Sequence, residues 1–380
     1  MTFSRLLLVI KQTAFNAYTA QEHLARAAGR ALTYAPDRMS RLKERHDTHM
    51  FQVERITRLL QERGASVTSV MRDEVTPAHV ADADLVLALG GDGTTLIASH
   101  IMRGDVPLIG INTDRATSVD LATLYRSSEP LDMRRSTGHL CACTSADVEP
   151  VLDDVLTGAL EPTTLARLRV TVAGAELAPA LNDVLVAHPS PGAVSRYSVH
   201  VGGGDPGGVD RGAHAHVEGE IASARDPDSI DSSAPAPLWF HVRSSGIRVC
   251  TAAGSTAAMR SAGGKPMHFS SRRMQFMDRE PIYHDHMPPP SSGHGFYDPD
   301  ETMTLRWNSR VGRVFLDGAH NTHEVKMGDR ITVSANGPTL RLFTSKWFRR
   351  NHAEMWPDRR EAMREMADDT SGPSRWIIDE

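Results

Sequence analysis

Three glycines, an aspartate and two threonines stand together in Leu89-Gly90-Gly91-Asp92-Gly93-Thr94-Thr95-Leu96, between an apolar run and a predicted helix. Glycines at this spacing let successive backbone N–H groups turn toward one point, and a following helix N-terminus adds positive dipole there. That geometry suits a polyphosphate. An aspartate inside an anion-binding turn opposes phosphate unless it has chemistry to do, such as accepting a proton from an attacking hydroxyl or helping to hold a metal. The competing assignment is a tight turn in which Asp92 caps the helix at Thr94–Thr95. The turn has no Walker lysine and does not match G-x-G-x-x-G, so it supports neither P-loop nor ordinary Rossmann chemistry.

A second cluster is Thr251-Ala252-Ala253-Gly254-Ser255-Thr256-Ala257-Ala258-Met259, followed by Ser261-Ala262-Gly263-Gly264. Small side chains permit close backbone approach, while Ser255, Thr256 and Ser261 offer donors to a ligand. A helix start capped by Ser255 or Thr256 would use the same residues. Other groupings weigh less. His46 with His49, and His284-Asp285-His286, have metal-ligand spacing, but 18 histidines make chance pairs expected and solvated or capping roles simpler. Cys141-x-Cys143 lacks redox spacing and reads as core. Arg272-Arg273 and Arg349-Arg350 read as solvated charge, with no basic stripe for nucleic acid.

The elements that must position these residues alternate in the first half of the chain. Leu6–Ile10 reads as a buried strand, 37–63 as a helix ending at Gly64, Val67–Met71 as a strand and Asp84–Leu89 as a strand apolar on both faces. A helix over 95–103 and a strand at Pro107–Ile111 follow. This alternation predicts an α/β N-terminal domain with a parallel sheet over 1–158. Short β-rich runs at 168–172, 182–186, 247–249, 313–316, 330–334 and 340–343 predict a mainly antiparallel β C-terminal domain over 159–347. Residues 201–237 carry almost no large apolar side chain and read as a disordered insertion, as does Pro288–Pro299; a charged tail occupies 348–380.

Composition narrows the function classes. The 380 residues carry a formal net charge of −5, which argues against a nucleic-acid binder. No apolar run approaches the roughly 20 residues of a membrane span. Three cysteines build neither a disulfide framework nor a four-cysteine zinc site, and they fit a reducing compartment. The N-terminal apolar run is short for a signal peptide and the last residues match no peroxisomal or ER address, so a cytoplasmic location is expected.

Gly90-Gly91-Asp92-Gly93-Thr94, then Leu181-Asn182-Asp183, then Gly254-Ser255-Thr256-Ala257 resemble the NAD kinases in order and spacing. The plant-type NADH kinase branch is closest, through Arg135–Cys141, Ala193–Ser198, Arg243-Ser244-Ser245-Gly246, Thr251–Met259 and Gln275-Phe276-Met277 with Arg279-Glu280-Pro281-Ile282. The resemblance spans about residues 5 to 345 and implies ATP-dependent phosphorylation of the adenosine-ribose 2′-hydroxyl of NADH and NAD⁺, with Mg²⁺ on the donor phosphates. It makes Asp92 the catalytic base and lays Gly93 against the dinucleotide. Gly90, Gly91 and Thr94 would seat the donor phosphates, and Asn182 and Asp183 would hold the dinucleotide. Arg243, Ser245, Ser255, Thr256, Ala257 and Ser261 fall at further binding positions. A homodimer, with its site completed near the subunit interface, is also implied.

The chain departs from the commoner family pattern in three places. Ala258 replaces an aromatic, Ser244-Ser245 replaces Gly-Asp, and Asn112-Thr113-Asp114 opens a divergent run. Two other functions remain open on sequence: a diacylglycerol- or sphingosine-type lipid kinase sharing the glycine turn, and a non-catalytic NADP(H)-binding protein. No amphipathic docking segment favours the first, and a binder has no need of Asp92.

Overall fold

The computed structural model describes residues 3–30, 36–113, 139–202, 239–282 and 293–345. Of the insertion expected to be disordered over 201–237, residues 203–237 lie outside the described residues, as do the His284–His286 cluster, most of Arg135–Cys141 and the charged tail. Residues 201–202 instead end a strand, and His294–Tyr297, inside the stretch Pro288–Pro299 also expected to be disordered, forms another because its backbone pairs with Met274–Met277.

The first sheet is built from β1 (Arg5–Ile10), β2 (Ser66–Met71), β3 (Leu85–Gly90), β4 (Leu108–Asn112), β5 (Cys141–Thr144) and β6 (Thr163–Leu165). Strands β1 to β4 run parallel in the order β2-β1-β3-β4, and β5 pairs in parallel with the far end of β4. Every residue of β3 and β4 is buried, as expected for central strands covered on both faces. Helices α1 (Ala14–Ala27) and α2 (Pro36–Glu62), α3 (Pro77–Ala81), α4 (Asp92–Ile101) and α5 (Val148–Thr157) complete this unit. Val53, Ile56 and Leu60 of α2 and Val148, Leu152 and Val155 of α5 pack on one face. Leu96, Ala98 and Met102 of α4 and its end pack on the other. Helix α1, which the sequence reading passed over, buries no side chain and so shows no apolar stripe.

Two antiparallel six-stranded sheets follow. One holds β7 (Arg169–Val172), β8 (Ala175–Glu176), β10 (Ser195–Gly202), β11 (Phe240–Ser244), β15 (Thr302–Trp307) and β18 (Arg330–Ser334). The other holds β9 (Asp183–Ala187), β12 (Ile247–Cys250), β13 (Met274–Asp278), β14 (His294–Tyr297), β16 (Val311–Leu316) and β17 (Thr322–Lys326). Alternate residues such as Val184, Val186, Ile247, Val249, Val314 and Leu316 meet Tyr197, Leu305, Trp307 and Ile331 in one core. The four-residue helix α6 (Ala258–Ser261) sits beyond β12. No described helix is long and apolar enough to cross a membrane.

One strand and one helix differ from their expected place. The run at 340–343, read with the β-rich half, is β19 (Leu340–Phe343); it pairs in parallel with β4, and β6 joins it antiparallel in the first sheet. A strand of four residues encodes a pleated, buried surface but not which sheet edge it completes. The helix expected from 95 begins at Asp92, because Gly91 O accepts the N–H groups of both Thr94 and Thr95.

Arg167 joins the two units. It is wholly buried and donates to the carbonyls of Ser99, Met102, Pro338 and Thr339, at 2.5, 3.1, 2.6 and 3.3 Å. It thereby closes the C-terminal end of α4, whose last carbonyls lack helical partners. Burial, with the Arg103 charge adding to it, pulls its pKa down to about 10. Arg167→Met keeps the bulk and takes the buried donor away from these carbonyls, of which only Ser99 O keeps a backbone partner among the described residues, Met102 N–H. Stability in urea denaturation should therefore fall by about 2–3 kcal/mol; an unchanged midpoint would contradict this role.

Candidate active site

The glycine turn lies where β3 meets α4, at the carboxyl end of the parallel strands. At Gly90 a Cβ would come within 2.3 Å of Thr94 Oγ1 and 2.9 Å of Lys11 Cβ, so only glycine lets this turn close. The next residue of the first strand, Lys11, donates its N–H to Leu89 O at 3.0 Å and so stands beside the turn; the sequence reading did not single it out. Gly91 and Thr94 are buried, whereas Gly93 is exposed with open space where its side chain would be. A flat, unobstructed surface at a helix N-terminus is what an approaching phosphate or ribose requires.

Asp92 does not cap the helix. Gly91 is the N-cap, and the Asp92 carboxylate instead accepts the backbone N–H groups of His139 at 3.1 Å and Leu140 at 2.8 Å. Those residues lead into β5, so the carboxylate is aimed by two elements at once. Cys141 Sγ lies 4.0 Å from Asp92 Oδ1. Burial lowers the pKa of His139, and the Asp92 charge opposes that shift.

The second component is the turn Leu181-Asn182-Asp183 entering β9. Its three successive N–H groups point at the Asp317 carboxylate, at 2.8, 2.7 and 3.0 Å. Asp317 follows β16, has φ of +52° and is closed to solvent; His100 Nε2, in the last turn of α4, donates to it at 2.8 Å. On the other side, Thr251 donates from N to Asn182 O at 3.0 Å and from Oγ1 to Leu181 O at 2.5 Å. Gly254 is pressed against the same turn: a Cβ there would lie 2.0 Å from Asn182 O.

This double clamp leaves the side chains of the turn unspent. Asn182 Oδ1 is buried with no hydrogen-bond partner among the described residues, and so is Arg248 Nε on the neighbouring strand β12. Burial pushes the Asp183 carboxyl up to about 6, with Arg248 pulling it down and Asp317 pushing it further up. Buried polar atoms left without partners cost stability, and a native fold tolerates them where a ligand completes them.

The remaining expected residues divide into two groups. Ser255 is fully buried, donates to Ala252 O at 2.7 Å and accepts Met267 N–H at 2.8 Å, so its hydroxyl is committed to the loop. Thr256 and Ala257 are half-buried and Ser261 is exposed beside it. Ala253 of this segment and Leu181 share an apolar cluster with Leu96 and Ala98 of α4, which brings all three motifs together. Arg243 and Ser245 are not brought there. Arg243 is exposed at the end of β11, and Ser245 N–H bonds to Arg279 O at 2.7 Å where the chain passes between sheets. Six residues of extended chain, about 20 Å, separate Ser245 from Thr251.

The sequence reading missed Asp317 and His100. A lone Asp-Gly after a strand and a lone histidine late in a helix carry no local signal. His46 and His49 serve structure, bonding to Thr13 Oγ1 at 2.9 Å and Thr113 Oγ1 at 2.8 Å. Cys141, Cys143 and Cys250 are buried and form no disulfide among the described residues, in keeping with a core assignment.

With a parallel glycine-turn unit followed by a β-sandwich, the fold is that of the NAD kinases. An NAD kinase from Archaeoglobus fulgidus in complex with ATP superposes with a TM-score of 0.56 at 16% identity, covering 91% of this chain and 96% of that one. Yeast NADH kinase complexed with NADH gives 0.52 at 13% identity, over 90% and 82%. The ATP-NAD kinase N-terminal domain model matches residues 6–119. The NADH kinase of Arabidopsis thaliana is 35% identical over 348 residues, 91% of this chain and 97% of its own length. A probable NADH kinase of Oryza sativa subsp. japonica is 34% identical over 308 residues, 81% and 85% of the two chains. The chain belongs to the NAD kinase family.

Asp183 generates a stability test. Its folded pKa of about 6 lies above the ordinary carboxylate value of 3.8, so the folded state binds the proton more tightly than the unfolded chain. Stability from this group is present below the unfolded pKa and is lost as pH rises through about 6. Asp183→Asn should therefore raise stability at pH 7–8 by about 1–3 kcal/mol and flatten its pH dependence between about 4 and 6. Denaturant titrations across that range check it; a destabilised variant at pH 8 would contradict the sign.

Proposed function

We propose that the chain transfers the γ-phosphoryl group of ATP to the 2′-hydroxyl of the adenosine ribose of NADH and NAD⁺, giving NADPH and NADP⁺. The observation that carries this reading is the likeness to a named NADH kinase over 97% of that protein's length. The 2′-oxygen attacks the γ-phosphorus, the bond to the β-phosphate oxygen breaks, ADP leaves and the hydroxyl proton passes to Asp92. Gly90, Gly91 and Thr94 seat the donor through the N-terminus of α4, with Gly93 against the ribose. Asn182 and Asp183 hold the dinucleotide, and the Thr256, Ala257 and Ser261 segment lines the same cleft.

Magnesium is assigned to the donor. No group of three or more His, Cys, Asp or Glu side chains gathers among the described residues, and Mg²⁺ ordinarily sits on phosphate oxygens and waters with one or two carboxylates. Bound with the donor, it would supply positive charge against the negative charge developing on the transferred group. Lipid phosphorylation and ligand binding without turnover are disfavoured by the same full-length likeness. We assign the working form to a cytoplasmic homodimer, an arrangement in which Arg243 and Ser245, about 20 Å along the chain from Thr251, reach a partner's cleft.

Purified protein with ATP and Mg²⁺ should form NADPH from NADH and NADP⁺ from NAD⁺. Asp92→Asn keeps the shape and one of the two backbone hydrogen bonds, from His139 or Leu140, but removes the basic oxygen, so turnover should fall roughly 10²–10⁴-fold with dinucleotide affinity little changed. Turnover close to wild type would make Asp92 structural.

Ser245 bears on which dinucleotide is preferred. The nicotinamide is cationic in NAD⁺ and neutral in NADH, so a serine in place of an aspartate removes an attraction for the oxidised form. In a partly exposed cleft that attraction is worth about 1 kcal/mol, or roughly fivefold. Ser245→Asp should shift the ratio of kcat/KM several-fold toward NAD⁺. A ratio that stays put or moves toward NADH would sink this account.

A further inference from the structure

Resting on the kinase reading above, we propose that Asp317 is a positioning residue for the dinucleotide. It acts through His100 to keep the Asn182–Asp183 turn at a set distance from the helix that carries Asp92. Neither Asp317 nor His100 lies in the glycine turn or the Asn182–Asp183 turn.

Three observations carry the inference. First, the carboxylate fills a cup made by the N–H groups of Leu181, Asn182 and Asp183, at 2.8, 2.7 and 3.0 Å. Three consecutive donors aimed at one group fix the φ and ψ of the turn, and so the direction in which the Asn182 and Asp183 side chains leave it. Second, the backbone around Asp317 is shaped for this job. Its N–H extends the β9–β16 ladder by donating to Asp183 O at 2.9 Å, while φ of +52° swings the side chain back over the same turn. A left-handed φ is uncommon outside glycine and is tolerated by Asp when its side chain bonds locally.

Third, the fourth donor comes from the other unit. His100 is eight residues after Asp92 on α4, about 12 Å along the helix axis. Its Nε2–H reaches Asp317 at 2.8 Å, its Nδ1 lies 3.3 Å from Asn321 Nδ2, and the His320 ring stacks on it at 5.3 Å. The same helix end is held by Arg167 through Ser99 O and Met102 O. Helix α4 thus acts as a strut, with Asp92 at one end and the Asp317–His100 bond at the other. Where a reaction runs on positioning, a displacement of about 1 Å set up far from the chemistry costs up to about 10²-fold.

The test uses the full chain and three variants: His100→Ala, His100→Gln and Asp317→Asn. Thermal midpoint, kcat, and KM for NADH and for ATP are measured well below each midpoint. His100→Ala should lower kcat/KM for NADH by about 10- to 100-fold with KM for ATP little changed. His100→Gln, whose amide nitrogen takes the place of Nε2, should recover most of that loss. Asp317→Asn should be at least as impaired as His100→Ala; if it does not fold, the two His100 variants decide the matter.

A lowered midpoint with wild-type constants in His100→Ala would make the bond purely structural and overturn the proposal. A glutamine variant as impaired as the alanine one would do the same, since ring volume would then be what counts. If wild-type protein forms no NADPH, the kinase reading fails by itself. The positioning role is then read from NADH affinity by calorimetry, with the same ranking of variants expected and equal affinities overturning it.

Discussion

Taking a carboxylate out of water costs several kcal/mol unless donors replace its lost hydration, and Asp317 has no solvent contact. Four N–H groups meet that demand, three from one turn of the β-sandwich and one from a helix of the parallel-sheet unit. The two units cannot separate without stripping the carboxylate of a donor in a dry environment. Arg167 imposes the same requirement with the opposite charge, spanning Ser99 and Met102 on one side and Pro338 and Thr339 on the other. Together they lock the end of α4 far more firmly than its apolar contacts alone, because unmade buried hydrogen bonds cost more than made ones contribute.

Rigidity at one end of the helix permits openness at the other. The N-terminus of α4 presents Gly93 to open space, and the Asp92 carboxylate is steered by the loop before β5. Nearby, Asn182 Oδ1 and Arg248 Nε have no partners among the described residues and Asp183 is held buried with a raised pKa. Each of these lowers stability in the unliganded protein. Such groups persist at functional sites because a ligand's hydroxyls and amides complete them, and the surrounding clamp prevents the turn from relaxing to satisfy them internally.

A third buried carboxylate, Asp278, shows how the same chemistry reads away from the cleft. It accepts the Tyr197 hydroxyl, which also lies 2.9 Å from Ser244 Oγ, and burial raises its pKa to about 7. These groups satisfy one another inside the sandwich and offer nothing outward. The contrast with Asn182 and Asp183 is one of completeness: a closed network specifies packing, an open one invites a ligand.

Much of this was legible in the chain itself. The apolar runs at Leu6–Ile10 and Leu85–Leu89, the 37–63 periodicity and the glycine turn each state a local preference strong enough to survive folding. Their alternation defines an α/β unit, because buried parallel strands need continuous apolar sequence. The order of the glycine turn, Asn182-Asp183 and Gly254–Ala257 pointed to the NAD kinases, since each motif lies within one short segment. What only the tertiary structure decided depends on distant pairings. The Asp92 carboxylate finds its partners 47 and 48 residues away, Asp317 meets Leu181 across 136 residues and His100 across 217. Strand β19 returns to β4 from the far end of the fold. Ser255 looked like a ligand donor in sequence and proved to be spent on Ala252 and Met267. A side chain's type announces which bonds it can make; which bond it does make is set by whatever the folded chain places within about 3 Å of it.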